Sequence, residues 1–347
     1  MTHTLLRMMT VAVILGIGGV PLRAGANDHC GAAPPGAASC DMAAASPWIE
    51  RWLAAWDLAS RRILKLPDAP PPEIVFYDSA CVYTTSALTA AGAPPVEGPG
   101  LHGEQLPWRA LAHDGSLTLP DSSAVPVQLM SFTDIARHTG PYFVMAAPSY
   151  WARSGHGQEQ GLTGVFLHEF AHTRQVGGMA STIGPIDSTW AFPEELTDDA
   201  VQTHFRDDSS YVAAYLAERD VLYRAAAAES LTEVRALAAA ALSMMRERHA
   251  RWFTGEYTVF ATLDNVFLAL EGVGQWTACA WLAHVEGGGL DRETAIRTML
   301  GRRRWWAQDE GLAVILVVDR LLPDWPAYAF SVPSPGALDL LERALQH

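Results

Sequence analysis

Two patterns divide the chain. Between residues 73 and 147, short runs rich in Val, Phe, Tyr and Thr are separated by Gly, Pro and Asp-Gly breaks, as expected of strands joined by turns. The runs at 73–85, 116–119, 125–132 and 142–147 predict a small twisted sheet. From residue 161 onward the apolar positions recur at helical spacing, and Ala- and Leu-rich stretches at 210–229, 231–252 and 258–285 predict long helices. Further helices are expected at 291–299, capped by Asp291, and at 305–321 and 336–345. Pro193 opens another, with an acidic first turn of Glu194, Glu195, Asp198 and Asp199, whereas 177–185 reads as a flexible turn. Ahead of the strands, Pro47 begins an amphipathic helix over 48–66 that offers Trp48, Leu53, Trp56, Leu58 and Ile63 for burial. The fold class is α+β: a small twisted β-sheet (within 47–160) preceding a predominantly helical lobe (161–347).

The first 46 residues stand outside this pattern. Arg7, the apolar stretch 8–20 and the A-x-A triplet Ala24-Gly25-Ala26 make residues 1–26 an expected secretory signal, and 27–46 an Ala/Gly/Pro-rich tether. Export to the periplasm or beyond is the expected localisation, with no membrane-spanning segment once the signal is removed. The apolar run GLAVILVV at 311–318 is too short to span and is ended by Asp319 and Arg320.

Four cysteines, Cys30, Cys40, Cys81 and Cys279, suit an oxidising compartment, and Cys30 and Cys40 are spaced to close a small loop. None has C-x-x-C spacing, which argues against a structural zinc knuckle. The formal net charge of −14 argues against nucleic acid and anionic membranes as partners.

The chemistry concentrates at 161–175, GLTGVFLHEFAHTRQ, where His168, Glu169 and His172 form H-E-x-x-H. Residues four apart stack on one helical face, so both imidazoles can reach one metal ion, and Glu169 lies near enough to act on a water beside it. Val165, Phe166, Leu167, Phe170 and Ala171 supply an apolar setting. The bland alternative, two half-buried histidines on an ordinary helix, would require a partner for Glu169.

This stretch resembles the active-site helix of the zincin superfamily of metallopeptidases. Arg174 departs from the apolar residue usual there. The longer metzincin pattern fails, because Gln175 and Gly178 occupy its glycine and third-histidine positions. The resemblance implies zinc as cofactor, peptides or proteins as substrates, and a preceding sheet whose edge strand, here 142–147, pairs with extended substrate.

A catalytic zinc normally takes three protein ligands. Candidates for the third are Glu194, Glu195, His204, Glu218 and Glu271. Glu271 is a single acid in an apolar helix, where an unpaired charge is costly, and Gly272 and Gly274 beside it suggest close approach of another helix. Its segment EGVGQW resembles the E-G-x-x-x-Y/W ligand segment of aminopeptidase-like gluzincins. Glu271 lies 99 residues beyond His172, however, whereas Glu218 lies only 46 beyond it, so both remain open. His204, Tyr211, Tyr223 and Tyr257 are available to stabilise an oxyanion.

The sequence thus points to an exported zinc-dependent metallohydrolase, a peptidase with Glu169 as general base and His168, His172 and Glu271 as the metal set. Two alternatives remain. One is a catalytically inactive zincin-fold binding or scaffold protein of the cell envelope. The other is an envelope protein that touches lipid or wall polymers through Arg302, Arg303, Arg304, Trp305 and Trp306.

Overall fold

A computed structural model describes residues 40–136, 138–153, 158–193, 195–301 and 303–347. The expected export signal, Cys30, Glu194 and Arg302 lie outside the described residues. Helix α1 (Met42–Leu58) starts at Met42, with Asp41 accepting from the Ala43 N–H at 2.9 Å, so Pro47 sits inside the helix and does not open it. The Ala-rich stretch that reads as tether is also a strong helix former, and here helix formation wins. A π-helical turn (Ala59–Ile63) follows. Cys40 pairs with Cys81, not with Cys30, and ties the start of α1 to the sheet.

The run at 73–85 is two strands, β1 (Glu73–Tyr77) and β2 (Cys81–Thr84). Asp78 folds the turn between them by accepting from the Ala80 and Cys81 N–H groups, both at 2.8 Å. Strand β3 (Arg109–Ala112) follows, then a separate ribbon of β4 (Ser116–Thr118) and β5 (Ala124–Pro126), then the hairpin β6 (Ser131–Ala136) and β7 (Gly140–Ala146). The main sheet has the order β3-β2-β1-β7-β6, antiparallel except where β1 runs parallel to β7. The segment expected at the edge, 142–147, is therefore interior, and β6 is the edge beside the helices. Tyr142 to Ala146 are all buried, the continuous apolar run of a strand covered on both faces.

Beyond the short helix α2 (Pro148–Arg153) comes α3 (Glu159–His172), which carries H-E-x-x-H. An aromatic layer fixes it to α1 and the sheet: Trp52 stacks on Phe166 at 5.4 Å, Trp56 meets Phe170 edge-on at 5.2 Å, and Phe143 contacts both phenylalanines. Thr133 on β6 donates to the Glu169 carbonyl at 2.7 Å, pinning the edge strand to the middle of α3.

The stretch read as a flexible turn is helix α4 (Val176–Thr189), which packs on β6, β7 and α8. Its glycines serve contact as well as bending: a Cβ at Gly178 would lie 2.3 Å from Ser334 Oγ. No helix starts at Pro193. Trp190 and Phe192 pack against Phe260, and Asp198 turns inward, so regular structure resumes only at α5 (Ala200–Phe205).

Helices α6 (Ser209–Ala227) and α7 (Leu231–Trp252) are capped by Asp208 and Ser230. After a 3-10 turn (Gly255–Thr258) comes α8 (Val259–Ala283), apolar on all sides because α3, α9 (Arg292–Leu300) and α10 (Trp306–Leu321) surround it. Gly272 of α8 crosses Gly311 of α10 so closely that a Cβ on either would come within 2.4 Å of the opposite backbone. The short α11 (Trp325–Ala329) and α12 (Ala337–Gln346) close the chain.

Candidate metal centre

Helix α3 presents His168 and His172 on one face, with their Nε2 atoms 3.1 Å apart. Helix α8 crosses that face and sets the Glu271 carboxylate against both: Oε2 lies 3.1 Å from His168 Nε2 and Oε1 lies 3.5 Å from His172 Nε2. Three donors sharing one tetrahedral ion at ordinary N and O bond lengths stand roughly 3.3 Å apart. The observed 3.1, 3.1 and 3.5 Å bracket that value. His168, Glu169 and His172 also form a cluster whose ligand atoms all lie within 4.8 Å, buried and able to hold a metal ion.

Burial sharpens the chemistry. His168, Glu169, His172 and Glu271 are at most 1 % exposed, so no bulk water solvates a charge among them. Among the described residues, His168 Nδ1 and both carboxylate oxygens of Glu169 are buried without a hydrogen-bond partner, and no Lys or Arg pairs with Glu271. Orphaned polar atoms at this density are costly unless a cation and its water join them. Burial lowers the His168 imidazole pKa, favouring the neutral form that binds metals. Burial alone would raise Glu271, but the two histidines outweigh it and keep the carboxyl ionised.

Glu169 differs. Burial, Glu271 and Asp198 together raise its carboxyl well above the ordinary range, so its ionised form depends on positive charge placed between the histidines and Glu271.

Two further residues complete the shell: Gln175, to which the sequence reading gave no such role, and Gly274, which it singled out for close approach of another helix. Gln175 Oε1 lies 3.1 Å from His172 Nδ1, which fixes the ring with its proton on Nδ1 and leaves Nε2 free to ligate. Gln175 itself is 1 % exposed. Gly274, one turn beyond Glu271, makes room for the imidazoles: a Cβ there would meet His172 Cε1 at 2.8 Å and His168 Nδ1 at 2.9 Å. Its neighbour Gly272 serves the helix crossing, so the two glycines have separate reasons. Arg174, the departure from the zincin pattern, lies past the end of α3 and donates to the Pro67 carbonyl at 3.1 Å.

The remaining candidates lie elsewhere. Glu218 is fully buried and paired with Arg248 at 2.5 Å, in a cluster with Asp264, Glu310 and the Tyr211 hydroxyl. It is neither a metal donor nor part of a solvated face. Glu195 is exposed, and Glu194 lies outside the described residues. Of the expected oxyanion stabilisers, Tyr211 accepts from Arg248 and Tyr223 donates to Asp309, while His204 and Tyr257 pack in an aromatic group. Asp198, expected in a helical first turn, is 5 % exposed, and its field reaches both Glu169 and Glu271.

Arg303 lies over the Tyr223 ring and pairs with Asp309, and Trp306 stacks on Tyr215, so this part of the Arg/Trp stretch packs on its own lobe. Comparison with family models, curated proteins and solved structures found no match for this chain.

Proposed function

We propose that the protein is an exported zinc-dependent metallohydrolase that cleaves peptide bonds, with His168, His172 and Glu271 as metal ligands and Glu169 as general base. The observation that carries this reading is the triangle of donors from α3 and α8 with Glu169 unpartnered beside it. Two imidazoles and a carboxylate are a common donor set for catalytic zinc, and would leave one position for water. Bound zinc would acidify a water and polarise a scissile carbonyl. Glu169 takes the proton from the attacking water and returns it to the leaving amine. Gln175 and Gly274 hold the imidazoles in place, and because all four residues are sealed a peptide reaches them only when the lobe opens. The Cys40–Cys81 disulfide supports export.

Purified protein should carry one zinc per chain and hydrolyse members of a broad peptide library. Glu169→Gln should keep the zinc and slow hydrolysis by about 10²- to 10⁴-fold. Unchanged hydrolysis in that variant would remove Glu169 from the mechanism, and absence of zinc at neutral pH would remove the metal centre.

The burial of all four residues favours one alternative, a closed structural metal in a catalytically inactive zincin-like scaffold. Stoichiometric zinc without turnover on any library member would select it.

A further inference from the structure

A second site lies at the other end of α8. Trp190 and Phe192 follow α4, His204 sits near the end of α5, and Tyr257 precedes α8; together they line a cleft of about 440 Å³. Their rings form one wall, with Trp190–Phe192 at 4.8 Å, Phe192–His204 at 5.6 Å and His204–Tyr257 at 5.0 Å. Phe260 is fully buried behind them, 4.9 Å from Phe192 and 4.8 Å from His204. The core is thus already closed by Phe260, and the four outer rings stay half-buried.

Glu256 is the one carboxylate among the described lining residues, beside the imidazole of His204; it is exposed, and no described residue forms an ion pair with it. The faces of Trp190, Phe192 and Tyr257 carry negative quadrupole potential, so these rings and the carboxylate attract the same kind of ligand. A methylated ammonium fits best, since its weakly hydrated charge is spread over apolar surface that can lie against the rings. We propose that this cleft binds a small soluble quaternary ammonium compound, independently of the metal centre. The two sites are distinct: Val259 at the cleft and Glu271 at the centre lie about 18 Å apart along one straight helix.

Calorimetric titration of the full chain with choline and with its uncharged carbon isostere, 3,3-dimethylbutan-1-ol, separates charge from shape. Choline should bind saturably and about tenfold more tightly than the isostere. Trp190→Ala should abolish the preference, and Glu256→Gln, at an exposed position, should weaken choline by about three- to tenfold with zinc content unchanged. Equal binding of the two compounds, choline affinity that survives both substitutions in folded protein, or no saturable choline binding at millimolar concentration would overturn the proposal. Co-sedimentation with phosphatidylcholine vesicles without binding of free choline would assign the cleft to a lipid surface and overturn it as well.

Discussion

Gly274 shows how much of the metal centre depends on an atom that is missing. A methyl group there would lie within 3.0 Å of both histidine rings, and both rings are buried. Alanine favours helix by about 1 kcal/mol over glycine, so Gly274→Ala should leave α8 formed while displacing the donors. The expected outcome is unchanged far-ultraviolet circular dichroism with zinc affinity reduced tenfold or more, measured by competition with a chromophoric chelator. Gln175→Leu removes the partner of His172 Nδ1 without opening a cavity, and should weaken zinc by about 10- to 100-fold. A buried glutamine carries no chemical signature in a sequence. His168, Glu169 and His172 were legible because one helix fixes their spacing, and Gly274 was legible as a point of close approach, whereas what approaches it, and the role of Gln175, come only from atoms brought near by the fold.

At the scale of elements, α8 does most of the assembly. It contributes Glu271 to the metal, Gly272 to the crossing with α10, and Asp264 to the ion cluster around Arg248. In that cluster one buried guanidinium faces Glu218, Asp264 and Glu310, so Arg248→Ala would strand buried carboxylates and should cost about 3–5 kcal/mol in urea unfolding. Metal content of the folded fraction should be unaffected, since Arg248 makes no contact with the histidines. Most helices after residue 205 could be read from capping residues and apolar periodicity, as at Asp291 and at 231–252. The failures share a cause. Helix α4 forms despite Gly177, Gly178 and Pro185 because packing on β6, β7 and α8 outweighs weak propensity, and β7 lies inside the sheet because pairing order depends on contacts distant in sequence. Likewise, the segment around Glu218 looks like a charged surface until Arg248, 30 residues later, folds against it.

The whole molecule carries an excess of buried acid, which makes its stability depend on pH and metal together. In the metal-free protein, burial and the nearby Glu271 raise Asp199 to about 7, and Glu169, Asp198 and Glu310 are raised as well, each chiefly by burial. An acid whose folded pKa exceeds its unfolded value favours folding below the unfolded pKa, and that contribution is lost as pH rises through the folded one. Glu271 and Asp264 are shifted downward and act in the opposite sense below the ordinary carboxylate range, and His168, lowered by burial, acts in the opposite sense up to the ordinary imidazole range. Between about pH 7 and 8 the raised groups decide the slope, so thermal unfolding of metal-free protein should show a melting temperature that falls as pH rises across that window. Zinc should flatten that dependence, because it favours the ionised carboxylates.

The interior position of the donor triangle also governs time. Its third corner arrives 99 residues after the second and comes from the middle of a helix enclosed on several sides, so the triangle cannot exist before the helical lobe has closed. A metal held there has no solvent-facing route of departure while the four residues stay sealed. Its exchange with a chelator should therefore proceed at the rate at which the lobe opens, independent of chelator concentration once that is high, and chelator release would serve as a clock for native-state opening.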